Sequence, residues 1–306
     1  MTRVCYFGYG DIGRHCLRSL VDAGVEVVGV FCRESDRRII PDRPSVFSLA
    51  NELGLRCYDV LRPTDKGFLE ELRKNPPDYA VSIQYDRILK PSFLEIPTHG
   101  SLNLHFAPLP RLRGCFPTKW AIINNEPSGV TLHHILPGVD DGNLIAQEIV
   151  VLAADETDET LYHRLVKSGK RVFDAQVAAI ADKSVSKGTP QNAEESSYYP
   201  KAMPHNGTID WTRNAAWIER FIRAFTFAPH PAAQTSLGAV AVQITAPIKI
   251  NGFSSLAPGA FERDESGALR IGCGDGSILV DRFIVDSKDV DAGGLIAVAG
   301  GLSRFK

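Results

Sequence analysis

Hydrophobic and polar positions in the first half of this chain alternate between strand-sized and helix-sized patterns. Residues 4–7 form a short apolar run of the kind a buried strand shows. Ile12, Cys16, Leu17, Leu20 and Val21 follow at helical spacing, closed by Gly24. A second apolar run at 25–31 completes a βαβ unit. The same rhythm predicts a helix over 45–53, a short strand near 56–58, a helix over 64–74 and a parallel strand over 79–83. Further on it predicts a strand at 101–105, a helix over 117–124, a β-pair at 129–135 and 144–151, and a long helix from Thr157, its N-cap, to about Ile180. From 181 to 204 the composition shifts to Lys, Ser, Gln, Asn and Pro, which reads as a linker whose Tyr198-Tyr199-Pro200 docks back onto the first domain. A helix over 215–224 follows. Short β-type runs at 240–244, 248–250, 269–273 and 277–285, separated by Gly, Pro, Asn and Asp, then predict a small β-barrel-like domain. The fold class is α/β: a doubly wound, mostly parallel Rossmann-like sheet with a small C-terminal barrel-like (OB-type) domain. The expected boundaries are 1–185 for the catalytic domain, 186–204 for the linker and 205–306 for the C-terminal helix and barrel.

Composition narrows the function classes. Hydrophobic content of 44% and charged content of 23% are ordinary globular values. A net charge of −2 gives no electrostatic case for nucleic acid as an obligatory partner. No apolar run is long enough to span a membrane, and MTRVCYFGYG lacks a signal-peptide pattern, so a cytoplasmic protein is expected. Cys5, Cys16, Cys32, Cys57, Cys115 and Cys273 form no C-x-x-C pair and read as small hydrophobes in a reducing compartment.

The candidate chemistry sits between Ser101 and Gln147. Asn103 and His105 are i and i+2 in a strand and therefore project to the same side. A second β-run leads through Pro137-Gly138 to Asp140-Asp141-Gly142, so an amide, an imidazole and a carboxylate can converge at the ends of neighbouring strands. That set suits acyl-type chemistry: a donor for a developing oxyanion, a proton-transfer group and a carboxylate to orient it. His133-His134 beside Asp140-Asp141 does not make a metal site, because adjacent strand residues face opposite ways and no third ligand has suitable spacing. Gly8-Tyr9-Gly10-Asp11-Ile12-Gly13 matches the dinucleotide fingerprint, with Glu34 or Asp36 as the ribose acid. However, the acid should fall about 20 residues on, among Gly29 to Cys32. The alternative is a Gly-rich turn that packs helix on strand and faces a ligand's anionic group. The polar, basic stretch 34–43 reads as a mobile loop near the site entrance.

With these residues in place, the chain resembles the N10-formyltetrahydrofolate-dependent formyltransferase family, which includes methionyl-tRNA formyltransferase, glycinamide ribonucleotide transformylase and the amino-sugar N-formyltransferases. The family's N-x-H-x-S-L-L-P, R-G, T-G-V-T and D-x-G elements correspond to 103–110, Arg113-Gly114, Ser128-Gly129-Val130-Thr131 and Asp140-Asp141-Gly142. Ala107-Pro108 departs from the usual Ser-Leu. Tyr199-Pro200-Lys201 and Gly207 to Trp211 extend the likeness to the C-terminal domain of the tRNA and amino-sugar branches. The resemblance implies N10-formyltetrahydrofolate as formyl donor, no metal, and Asn103, His105 and Asp140 as the catalytic trio. It also implies that Arg87, Ile88 and Leu89, with Asp140, bind the folate. Gly8, Tyr9 and Gly10, with Arg113 and Gly114, would then line the substrate side, Arg113 meeting a substrate phosphate.

The acceptor amine is then the open question. Thr131-Leu132-His133, Leu144 to Gln147 and Pro117 to Trp120 look more like the amino-sugar branch, and the net charge of −2 agrees. The expected acceptor is a nucleotide-linked amino sugar destined for a surface polysaccharide such as lipopolysaccharide O-antigen. Methionyl-tRNA formyltransferase is the alternative, supported by the Arg-bearing loop and the shared C-terminal domain. A nicotinamide-dependent oxidoreductase and a non-catalytic sugar-nucleotide-binding module are the readings from other classes. Small-molecule substrates are the expected partners, with no membrane, and exposed C-terminal strands could pair in a homodimer.

Overall fold

Residues of β1 (Arg3–Gly8), β2 (Glu26–Cys32) and β4 (Tyr79–Ile83) are apolar almost without interruption, and nearly every one is buried. Strands of that kind belong inside a parallel sheet covered on both faces. The computed structural model, which describes residues 1–33, 36, 45–59 and 62–306, places them there. With β3 (Cys57–Tyr58), β5 (Ser101–His105), β7 (Ser128–His134) and β8 (Leu144–Val150) they form a seven-stranded sheet ordered β3-β2-β1-β4-β5-β7-β8; the two-residue strand β6 is Arg113–Gly114. The first five strands run parallel, and β7 and β8 add antiparallel to β5 and to each other.

The chain divides into two compact units. One comprises Met1–Gly114, Ser128–Val150 and His163–Tyr198, the other Cys115–Pro127, Val151–Tyr162 and Tyr199–Lys306. In the first, α1 (Gly10–Asp22) lies close enough on β1 that a Cβ on Gly13 would sit 3.3 Å from the Gly8 carbonyl carbon and 3.0 Å from Val46 Cγ2. A side chain there would press on both, so glycine suits this helix-on-strand approach. α2 (Val46–Glu52) starts at Ser45, whose side chain accepts from the Ser48 amide, and α3 (Lys66–Lys74) starts at Asp65, which accepts from the Phe68 amide. A short α4 (Pro91–Leu94) precedes β5.

The second unit carries α5 (Pro117–Asn124), the start of α6 (Asp158–Ala181), α7 (Ala215–Arg223) and α8 (Ala292–Ala299). Following β9 (Tyr198–Tyr199), two four-stranded antiparallel sheets make up its C-terminal part. One is ordered β10-β11-β16-β17, from Ala233–Leu237, Val240–Ile244, Arg282–Val285 and Lys288–Asp291. The other is β12-β15-β14-β13, from Lys249–Asn251, Ser277–Val280, Leu269–Gly272 and Phe261–Arg263. The single run expected over 277–285 is therefore two strands in different sheets, broken at the exposed Asp281. Tyr199 stacks on Trp120 at 4.3 Å and its hydroxyl accepts from Asn124 at 2.8 Å. Among the described residues no helix is long and apolar enough to cross a membrane. The loop expected over 34–43 lies outside the described residues, apart from Asp36.

Candidate active site

β5 reads Ser-Leu-Asn-Leu-His, and the strand period of two decides what each side chain does. Leu102 and Leu104 are buried in the core, which turns Asn103 and His105 to the other face. Antiparallel pairing with β7 sets His133 directly opposite Asn103 and Thr131 opposite His105. His133 is 1% exposed, and its Nδ1 lies 2.7 Å from the His134 carbonyl, to which it donates. In the neutral ring Nε2 is then an acceptor, and it receives the Asn103 amide N–H at 3.1 Å. His105 donates from Nε2 to the Leu112 carbonyl at 3.1 Å, which leaves Nδ1 as its basic nitrogen.

Asp140 arrives by a less direct path. β7 ends beside the start of β5, where His134 pairs with Leu102, and residues 135–143 double back to return Asp140 to the Asn103–His105 face. Asn103 and His105 thus share one face of β5, with His105 at the strand's end, and the turn after β7 brings Asp140 to them. Gly142 sits so close to the His134 carbonyl that a Cβ would lie 1.8 Å from its oxygen, so this return admits only glycine. Asp140 Oδ2 accepts from the Gly114 amide at 2.9 Å and lies 3.7 Å from His105 Nε2, while Oδ1 lies 3.6 Å from His133 Nε2 and 3.5 Å from Asn103 Nδ2. Burial pushes the carboxyl pKa up, but the His105 ring and the Gly114 N–H outweigh it and hold the group well below the usual carboxylate range. Such a group contributes stability that is fully present above its unfolded pKa of about 3.9 and is lost as pH falls through the folded value. Denaturation midpoints are therefore expected to drop on acidification below about pH 4, and to drop less in Asp140→Asn. Equal slopes in the two proteins would remove Asp140 as a source.

The loop after β5 is pinned from β7 and β8. Thr131 Oγ1 donates to the Ala107 carbonyl at 2.7 Å, and Gln147 Nε2 donates to Thr131 Oγ1 and to the Leu109 carbonyl, each at 2.8 Å. Ala107-Pro108 is thus held by side chains outside the altered dipeptide, and Pro108 packs where Gly129 leaves room, 3.3 Å from the site of a Cβ.

The other expected residues lie nearby in the sheet. Gly8 ends β1 and Tyr9 and Gly10 lead into α1, while Arg87, Ile88 and Leu89 follow β4, so both segments lie at the carboxyl edge, of β4 next to β5 and of β1 one strand further on. The hydrogen bonds and ion pairs of Asn103, His105 and Asp140 run to His133, Leu112, Gly114 and Gln191, not to these segments. Ile88 is 76% exposed and Leu89 is buried. Arg113 extends Nε and Nη2 to Gln191 Oε1, at 3.1 and 2.7 Å. Asp36, the candidate ribose acid, is buried and caps α2 by accepting from the Val46 and Phe47 amides at 2.8 and 3.2 Å. Its carboxylate is committed to the fold, which removes the dinucleotide reading's acid within the described residues. Among them no group of three or more His, Cys, Asp or Glu is placed to hold a metal ion. Sequence reasoning missed two residues of the site. His133 was legible as the register partner of Asn103, whereas Gln191, in a polar stretch read as linker, carried no signal.

Fold and site together define the class first, a group-transfer enzyme on a doubly wound sheet. The chain belongs to the formyl transferase family, whose pattern matches residues 4–177 and whose C-terminal domain pattern matches residues 201–295. It is a formyltransferase. Among curated proteins it is 30% identical over 306 residues to the methionyl-tRNA formyltransferase of Agathobacter rectalis, covering 96% of both chains. It is also 30% identical over 289 residues to that of Marinobacter nauticus, covering 91% of this chain and 90% of that one. Among solved structures it resembles the N-formyltransferase from Helicobacter canadensis in complex with folinic acid and dTDP-3-aminofucose. The TM-score is 0.71 and the identity 25%, over 92% of this chain and 99% of that one. WlaRD, a sugar 3N-formyl transferase, shares the fold with a TM-score of 0.67 and 24% identity over 92% and 97% of the two chains.

Proposed function

We propose that this enzyme transfers a formyl group from N10-formyltetrahydrofolate to the amine of a nucleotide-linked amino sugar. The observation that carries the acceptor is the likeness to the Helicobacter canadensis enzyme along nearly its whole length, in a structure holding folinic acid and dTDP-3-aminofucose. A net charge of −2 supports a small acceptor over a polyanion.

The residues fit such a donor. An amide N–H donor, a basic ring nitrogen and an anionic carboxylate share one strand face. Beside β5, the 87–89 segment offers backbone groups and an exposed Ile88 to a flat ring. When bound, the folate supplies an N-linked formyl group whose carbon accepts the amine. His105 Nδ1 takes the proton leaving the attacking nitrogen and passes it to N10 as the formyl C–N10 bond breaks and tetrahydrofolate departs. Asp140, 3.7 Å from Nε2, favours the imidazolium that results. Asn103 exchanges its long 3.5 Å contact with Asp140 for the formyl oxygen as that oxygen gains charge, while His133 keeps hold of the other N–H. Gly8, Tyr9 and Gly10 form the acceptor-side wall.

The identity of 30% to methionyl-tRNA formyltransferases favours the tRNA acceptor as a second reading. Incubation with N10-formyltetrahydrofolate and dTDP-, UDP- and GDP-linked amino sugars, with methionyl-tRNA in parallel, separates the two through tetrahydrofolate release. Turnover with one nucleotide sugar and none with the tRNA is expected. Turnover with the tRNA alone would overturn the sugar assignment, and release with no acceptor would overturn both.

A further inference from the structure

We propose that Gln191 is a positioning residue for formyl transfer, holding Asp140 between His105 and His133, and that Arg113 acts through it. The inference rests on the roles given above to Asn103, His105 and Asp140.

Asp140 is a non-glycine residue at φ 51°. That left-handed conformation is unfavourable for an L-residue and persists only where neighbours hold it. Gln191 is the neighbour in question. Its Nε2 donates to the Asp140 carbonyl at 2.8 Å and to the Gly142 carbonyl at 2.7 Å, gripping the turn on both sides of Asp141. A side-chain amide can be flipped, and here the flip is decided by Arg113. The guanidinium occupies Oε1 with two N–H donors, so only Nε2 is left to face the two carbonyls. Both hydrogens and the acceptor oxygen of Gln191 are thereby used. The arrangement also joins the two sides of the carboxylate. Gly114, next to Arg113, donates to Asp140 Oδ2, while Gln191 holds the Asp140 backbone.

The segment carrying Gln191 is stitched to the same two loops. His134 Nε2 donates to the Ser186 carbonyl, Asn143 Nδ2 to the Lys187 carbonyl, and Leu144 and Thr189 exchange backbone hydrogen bonds at 2.8 and 2.9 Å. Further on, the Leu112 amide donates to Ser197 Oγ at 2.8 Å and the Arg113 amide to the Ser197 carbonyl at 3.0 Å. Residues 186–197 thus form a strap fixed at one end to the turn that presents Asp140 and at the other to the loop that presents Leu112 and Gly114. Gln191 is its inward-facing contact, and its flanking residues Pro190 and Asn192 are exposed.

The test compares Gln191→Leu, Gln191→Glu, Arg113→Met and the Gln191→Leu/Arg113→Met double variant with the wild-type protein. Gln191→Leu removes every bond, whereas Gln191→Glu keeps the Arg113 pair but sets an oxygen against two carbonyl oxygens. Both are expected to lower kcat on the order of 10–100-fold, the scale of a small misplacement of a catalytic group. KM for folate and acceptor should stay within about twofold and the melting temperature should barely change, a split that a purely structural residue would not give. The double variant should be no slower than the slower single variant, since Arg113 works through Gln191. Unchanged kcat in both Gln191 variants, or multiplying effects in the double variant, overturns the proposal. Should Gln191→Leu fail to fold, Gln191→Glu decides alone. A wild-type protein that releases no tetrahydrofolate would instead overturn the reading of the reaction.

Discussion

His105→Ala is expected to reduce kcat by about 10²–10⁴-fold while leaving the folded protein intact, the range typical of a lost general base. Its Nε2 is engaged by the Leu112 carbonyl, so on the proposed reading Nδ1 takes the amine's proton, and the neighbouring Asp140 carboxylate is too weakly basic to replace it. His133 is not a substitute. It is buried, its Nδ1 is spent on the His134 carbonyl, and its Nε2 is occupied by Asn103. Steady-state kinetics with the proposed acceptor, alongside a melting curve, checks this. Loss of less than about tenfold in kcat would mean that the amine is deprotonated by solvent and that His105 only shapes the pocket.

Lys119→Met is expected to lower the unfolding free energy by about 3–5 kcal/mol, the cost of stranding one partner of a buried ion pair. Lys119 is 1% exposed, and its ammonium lies 2.7 Å from Asp158 Oδ2 and 2.8 Å from the Ala224 carbonyl, with the Phe225 ring centroid 4.7 Å away. Asp158 opens α6, where the helix end already favours a negative charge, but its Oδ1 has no hydrogen-bond partner among the described residues. Without the lysine this buried carboxylate must either stay unpaired or take up a proton. The double variant Lys119→Met/Asp158→Leu is expected to regain much of the loss, because no charge is then left inside. Urea denaturation measures both. A loss below about 1 kcal/mol for Lys119→Met would show that water reaches the pair.

Much of the first unit was legible because its strands are buried on both faces and so read as unbroken apolar runs punctuated by helical periods. The β-pair at β7 and β8 and the helix at Pro117–Asn124 were equally plain. Elements whose residues contradict their state were not. β10, Ala-Gln-Thr-Ser-Leu, is mostly polar, and α8 carries Gly293-Gly294 in its first turn and is capped by Asp291, which accepts from the Gly294 amide at 2.7 Å. Asn103 and His105 could be paired from strand period alone. The carboxylate was harder: the turn that returns it has no period, and only the D-x-G spacing of the family motif chooses Asp140 over Asp141. The burial of Lys119 was equally hidden, because a lysine at a helix start gives no sign that a carboxylate forty residues away will enclose it.

Protein synthesis is directional, and the strap gives that direction a consequence. Asn103, His105, His133 and Asp140 leave the ribosome close together, but the amide that grips the Asp140 turn belongs to residue 191, roughly fifty residues later. At ordinary elongation rates that separation is roughly 3–10 s. For that interval the nascent chain carries the four proposed site residues with the left-handed turn at Asp140 not yet held by Gln191. If Gln191 has the proposed positioning role, the enzyme acquires its chemistry as one of the last events in the making of its first unit, after α6 has emerged.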